Sequence, residues 1–178
     1  MTPEERDATP EEIMWAGRFI TAKRRGQWEY VGRARGIEAA VIVAIDEDRH
    51  VLLVEQYRVP IGAYCLELPA GLVGDETSGE PVEIAAGREL EEETGYRAGR
   101  LEHAGHFASS PGMVSETFTL VIAHDLEKVG DGGGVEGENI TVHRVPLDGI
   151  ADFVAQKRAE GLVIDVKMLL LLASGLIG

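Results

Sequence analysis

Glu89, Glu92 and Glu93 stand at i, i+3 and i+4 within Arg88-Glu89-Leu90-Glu91-Glu92-Glu93-Thr94-Gly95. In a helix that spacing puts all three carboxylates on one face. Anions held side by side repel one another, and a cation joining them relieves the repulsion. Ligands made only of oxygen suit a hard divalent ion, Mg²⁺ or Mn²⁺, which also favours phosphate substrates. The plain alternative is an acidic helix face turned to solvent.

The elements that must hold this face can be read from the flanking sequence. A helix over Pro81–Thr94 places Pro81 at its first turn and ends at Gly95 in a left-handed stop. Gly87 falls in mid-helix, where it costs ~0.8–1 kcal/mol relative to alanine unless another backbone approaches there. Apolar strands are expected at 39–45 and 51–56, joined by the turn Asp46-Glu47-Asp48-Arg49, and at 64–69. Further strands are expected at 101–107, 117–124 and 140–145, with a glycine-rich loop over 130–137. Helices are expected at 147–160 and 163–172. Residues 1 to about 12 read as loose. Segments 17–22 and 27–33 read as a hairpin around Lys23-Arg24-Arg25-Gly26. Strands flanking a helix, then strands, then helices, predict an α/β protein with a mixed sheet between helical layers.

Bulk properties bound the function. The 178 residues are 44% hydrophobic and 27% charged, ordinary for a soluble globular protein. A net charge of −14 argues against a nucleic-acid partner, because phosphate backbones need clustered Lys and Arg. A bound metal and a few arginines can still reverse the field locally for a small anion. Cys65 is the single cysteine, which favours a reducing, cytoplasmic compartment. The longest apolar run, 168–173, is far short of the ~20 residues a membrane helix needs, so no membrane partner is expected. His50, His103, His106, His124 and His143 show no ligand spacing and are expected to be structural or surface groups.

Gly74, five residues, Glu80, seven residues, then Arg88-Glu89-Leu90-Glu91-Glu92-Glu93-Thr94-Gly95-Tyr96 resembles the Nudix box at each of its nine fixed positions. The segments Val54-Glu55-Gln56-Tyr57-Arg58 and Glu67-Leu68-Pro69-Ala70-Gly71 look like those preceding the box in its ADP-ribose pyrophosphatase branch. So does Pro111, sixteen residues beyond Gly95. Trp15 and the run Trp28-Glu29-Tyr30-Val31-Gly32-Arg33 resemble the N-terminal region of the dimeric ADP-sugar members. The resemblance implies the Nudix fold, an α/β/α sandwich around a mixed β-sheet with an N-terminal β-hairpin appendage. It divides the chain into residues 1–36, a dimer-forming segment, and 37–178, the hydrolase domain. Two departures stand out. Eight residues separate Gly71 from Glu80, so either Gly74 takes the place of Gly71 at the start of the box or the loop carries three extra residues. Gly87 also stands where an alanine is more usual.

What the resemblance implies for function is Mg²⁺-dependent hydrolysis of ADP-ribose, or a close ADP-sugar, to AMP and a sugar phosphate. The alternatives are another nucleoside diphosphate derivative, such as GDP-mannose, and a nucleotide sensor without hydrolysis. Glu89 and Glu93 are the expected metal ligands, with the Ala70 carbonyl, and Glu92 holds a second ion or orients the first. Arg88 is placed to pair with Glu92 or Glu80 and so to orient the site. The general base of the relatives lies on a mobile loop outside the box, which makes Glu138, then Glu136, the candidates here. Glu116 is a third carboxylate, for substrate hydroxyls or metal. Arg58 offers a fork to phosphate or a structural ion pair, and Arg33 is a weaker phosphate contact. Trp15 and Trp28 either sandwich an adenine or pack as core, and in the dimeric relatives the two aromatics come from different subunits. Glu29 accepts from the adenine amino group or stays exposed, while Leu72 and Gly112 complete the expected substrate contacts.

Overall fold

The computed structural model describes residues 2–34, 37–74 and 79–177. Its strands are β1 (Glu11–Ala16), β2 (Ile20–Arg25), β3 (Trp28–Arg33), β4 (Glu38–Ala44), β5 (His50–Arg58), β6 (Ala63–Glu67), β7 (Ala70–Val73), β8 (Tyr96–Ala108), β9 (Thr117–Lys128), β10 (Thr141–Pro146) and β11 (Val163–Ile164). Its helices are α1 (Pro3–Asp7), α2 (Val82–Thr94), α3 (Ile150–Ala159) and α4 (Leu169–Ile177). The expected mixed sheet is present as two four-stranded sheets, ordered β10-β5-β6-β11 and β7-β4-β9-β8. Each has one parallel pair, β6 with β11 and β4 with β9.

Period-two alternation along β4 and β5 explains how these sheets bury both faces. Val41, Val51 and Leu53 join Leu66, Leu68, Phe118 and Leu120 in one core, closed by Ile150 and Val154 of α3 and by Met168. Ala40, Ile42, Ala44 and Leu52 turn the other way, against Ala85, Ala86 and Leu90 of α2. Helix α2 is thereby pinned by its apolar side, and its carboxylate side faces β7.

Several local expectations change. The N-terminus is ordered rather than loose: Thr2 and Glu5 form a reciprocal cap on α1, and β1 adds a third strand to the expected hairpin. The hairpin turns at Gly26-Gln27, with Arg25 opposite Trp28, and not across Lys23–Gly26. Gly26 supplies the left-handed φ of 60° that a two-residue turn requires. Pro81 caps α2 with extended backbone and is not its first helical residue. The strand expected at 64–69 is β6, which ends at Glu67, and a separate strand, β7, follows it at Ala70. The helix expected at 147–160 begins as a 3₁₀ turn over Leu147–Gly149. The one expected at 163–172 is strand β11, a 3₁₀ turn over Val166–Met168, and only then α4. Gly87 accommodates no backbone: an added Cβ would sit 3.3 Å from Cδ1 of Leu101, so it makes room for a β8 side chain.

Candidate functional site

Helix α2 lays Glu89 and Glu93 against β7. A side chain on Gly71 would overlap the Glu89 carboxyl, so glycine there lets the carboxylate lie over the strand backbone. Gly71 is therefore a glycine that lies beside the acidic face. Residues 75–78, on which the longer-loop reading falls, lie outside the described residues. Glu93 is only 5% exposed, and its Oε2 accepts from the Ala70 N–H at 3.0 Å. Burial pushes its carboxyl up to about 8; the Ala70 N–H opposes this, the charges of Glu89 and Glu138 add to it, and Arg58 opposes it again. Arg88 donates to Glu89 at 3.0 Å and to Glu92 at 3.3 Å, and lies 3.8 Å from Glu80. It pairs with both carboxylates expected for it and with a third.

Ala70, Gly71, Glu89 and Glu93 border a hollow of about 480 Å³, and Arg88 lies outside its lining. Of the expected residues, Arg33, Arg58, Ala70, Leu72, Glu89, Glu93, Glu116 and Glu138 line it. Glu138 comes from the glycine-rich segment, and its carboxylate accepts from the Val135 N–H at 2.9 Å. Glu92 and Glu136 are not among the lining residues, and Glu92 turns to Arg88. Arg58 is already forked onto Glu67, at 2.6 and 2.8 Å, which is the ion-pair alternative. Arg33 of β3 is bonded through Nε to Glu116, so the N-terminal sheet contributes to the wall.

Sequence reasoning missed Gln56, Glu67, Asp165 and Lys167, which also line the hollow. Glu67 was visible beside Ala70-Gly71, but its role depends on Arg58 lying across the β5–β6 hairpin. Asp165 caps the 3₁₀ turn before α4 through the Lys167 N–H and holds Lys167 Nζ at 2.7 Å. Nothing local signals that this pair reaches the site.

The remaining expected residues gather elsewhere. Trp28, Glu29 and Gly112 line a second hollow of about 430 Å³ with Arg25, Tyr30 and Ser115. Strand β3 connects the two hollows, Trp28 at one end and Arg33 at the other. Trp15 is 57% exposed, with its ring over Gly17. In register Trp15 is opposite Ala22 and Trp28 opposite Arg25. Cross-strand partners share a face and positions three apart on β2 do not, so the two indoles project from opposite faces of the sheet. One chain alone does not sandwich a base between them.

The first hollow has the chemistry of a cation site. Among its described lining residues six carboxylates face three cations, and those cations are engaged by Glu116, Glu67 and Asp165. Glu89 is held by Arg88 from outside the lining, and Glu93, facing Glu138, is too buried for water to screen it. An oxygen-only set of this kind fits a hard divalent ion. Among the described residues only Asp46, Asp48 and His50 bring three ligand atoms within 4.8 Å of one another. That exposed turn is bridged by Arg144, at 2.5 Å to Asp46 and 2.6 Å to Asp48, so a cation is already in place.

Comparison with known proteins bears on this geometry. The family model described as NUDIX domain matches residues 35–163. The methanol dehydrogenase activator of Bacillus methanolicus is 36% identical over 67% of this chain and 64% of its own length. The GDP-mannose pyrophosphatase of Cronobacter sakazakii is 37% identical over 78% and 72%. The ADP-sugar pyrophosphatase of Mus musculus is 33% identical over 67% and 62%. The chain thus spans under two thirds of the length of two of these three relatives. A crystal structure of an ADP compounds hydrolase superposes with a TM-score of 0.68 at 27% identity, over 94% of this chain and 91% of that one.

Proposed function

The chain belongs to the Nudix family, and on that premise we propose that it hydrolyses the pyrophosphate bond of ADP-ribose, or a related ADP-sugar, to AMP and a sugar phosphate. The observation that carries the reading is the first hollow, where Glu89 and Glu93 of the box helix meet Glu138 of the glycine-rich segment. Glu89 and Glu93, with the Ala70 carbonyl, would hold Mg²⁺, for which Mn²⁺ could substitute. When bound, the ion neutralises the doubly anionic diphosphate. Glu138 takes the proton of the attacking water as its oxygen bonds to phosphorus and the anhydride P–O bond breaks; Glu136 is the second candidate. Arg88 holds Glu89 and Glu92 in place. Arg33 and Arg58 meet the phosphates by exchanging part of their carboxylate contacts for phosphate oxygens, and Glu116 meets sugar hydroxyls.

The adenine belongs at the Trp28 end of β3, beside Glu29 and Gly112. Because Trp15 and Trp28 face opposite ways, a base held between two indoles draws them from two copies of the chain. The homodimer is therefore part of this reading, with residues 1–36 as the dimer-forming segment. The exposed apolar residues of β1, Ile13, Met14 and Trp15, support it. A cytoplasmic setting rests on Cys65 being the single cysteine, with no partner in the chain for a disulfide. No helix among the described residues is long and apolar enough to cross a membrane.

A second reading, GDP-mannose as substrate, is favoured by the 37% identity to the GDP-mannose pyrophosphatase. A substrate panel with Mg²⁺ and chromatographic separation of products decides between them. ADP-ribose is expected to give AMP at the highest kcat/KM. If GDP-mannose ranks well above it, the substrate assignment fails, and binding without turnover of any nucleotide indicates a sensor.

A further inference from the structure

The carbonyls at the C-terminal end of a helix lack intrahelical donors. In α2 the segment that carries Glu138 supplies them. The Gly133 N–H donates to the Glu93 carbonyl at 2.9 Å and the Gly134 N–H to the Glu92 carbonyl at 3.0 Å. Val129 and Gly130 both donate to the Gly95 carbonyl, at 2.8 and 3.0 Å. The two backbones are in direct contact along this seam. A Cβ on Gly132 would overlap the Thr94 carbonyl carbon and come within 2.6 Å of the Glu93 oxygen, and one on Gly95 would overlap the Gly130 carbonyl. Beyond the seam, a side chain on Gly134 would overlap the Glu138 carboxylate, which folds back over it. Ile140 closes the segment by donating to the Gly133 carbonyl at 3.1 Å.

A loop whose glycines served only to let it move would not be bonded to the helix that bears the acidic face. We propose that Gly132, together with Gly95 and Gly134, is a positioning residue: the main-chain seam between 129–134 and the last turn of α2 sets Glu138 against Glu93 across the hollow. The proposal rests on the role given to Glu138 above. Main-chain contact transmits displacement without slack, so forcing the seam open moves Glu138 away from the water it deprotonates. A misplacement of ~1 Å at a reacting group costs on the order of a hundredfold in rate.

The test compares Gly132→Ala with Gly161→Ala. Both glycines have left-handed backbones, φ 70° and 95°, so both variants carry the same kind of conformational strain. Only at 132 does the added methyl meet the helix, since Gly161 has nothing within 4 Å. Gly132→Ala is expected to lower kcat for ADP-ribose by roughly thirtyfold or more with KM within about threefold. Gly161→Ala is expected to keep both near the wild-type values. Equal kcat in the two variants overturns the proposal. Amide hydrogen exchange on the unaltered protein serves if Gly132→Ala does not fold. The Gly133 and Gly134 amides are expected to exchange as slowly as those of the last turn of α2, and exchange at the rate of an unstructured peptide overturns the seam. If the unaltered protein hydrolyses no nucleotide, the functional reading has failed, and the exchange rates still decide the seam.

Discussion

Replacing Glu93 by Gln removes one negative charge from a buried carboxylate of the site while keeping its shape and its capacity to accept from the Ala70 N–H. In the metal-free protein this charge opposes folding. The carboxyl is held at about 8 against an ordinary 4.5, so the folded chain binds a proton over that interval that the unfolded chain has lost. Stability associated with Glu93 is therefore fully present below pH 4.5 and is lost as pH rises through 8. At 1.36 kcal/mol per pH unit the full displacement corresponds to roughly 5 kcal/mol. The variant should thus exceed the unaltered protein by about 2–4 kcal/mol at pH 9, or about 4–15 °C in Tm for a chain of this size, and by little at pH 5. Divalent metal reverses the order, because it binds the folded carboxylates and stabilises only the unaltered protein. Thermal unfolding at pH 5 and pH 9, with and without Mg²⁺, measures all of this. A variant less stable than its parent at pH 9 without metal refutes the electrostatic argument. Near-normal turnover by the variant with Mg²⁺ refutes the role of Glu93.

Other outcomes are expected from the same geometry. Gly71→Ala drives a methyl into the Glu89 carboxyl, so the Mg²⁺ concentration for half-maximal activity should rise at least tenfold; an unchanged titration removes Glu89 from the ligand set. Trp28→Ala should weaken ADP-ribose binding by ~1–3 kcal/mol if the indole stacks on adenine, read as a raised KM; an unaltered KM returns Trp28 to packing. Cys65, with its thiol pushed up to about 12, should resist a thiol reagent at pH 8 until the protein unfolds, and rapid modification of the native protein contradicts its burial.

The acidic helix was legible because its information is local. Period-3.6 spacing of Glu89 and Glu93, the Gly95 stop and the apolar positions Ala86 and Leu90 all lie within one element. Features created by pairing at a distance were not. Arg58 meets Glu67 only because β5 and β6 fold into a hairpin, and Asp165 and Lys167 reach the hollow from the far end of the chain. Val163–Ile164 carries an apolar pattern that suits a helix, yet its parallel partner Cys65–Leu66 makes it a strand. The glycine-rich segment illustrates a different limit. Glycine serves equally for conformational freedom and for close approach, and the sequence does not distinguish them; at Gly132 the left-handed backbone and the close approach to α2 call for both.

The central claim is that Glu89 and Glu93 grip a divalent ion beside a bound pyrophosphate. Anomalous scattering from a crystal soaked with Mn²⁺ and an unreactive ADP-ribose analogue tests it most directly. The account predicts a manganese peak bridging those two carboxylates, with the diphosphate across the hollow from them. A peak at Asp46, Asp48 and His50 alone, or a diphosphate bound away from α2 with no metal beside it, contradicts it.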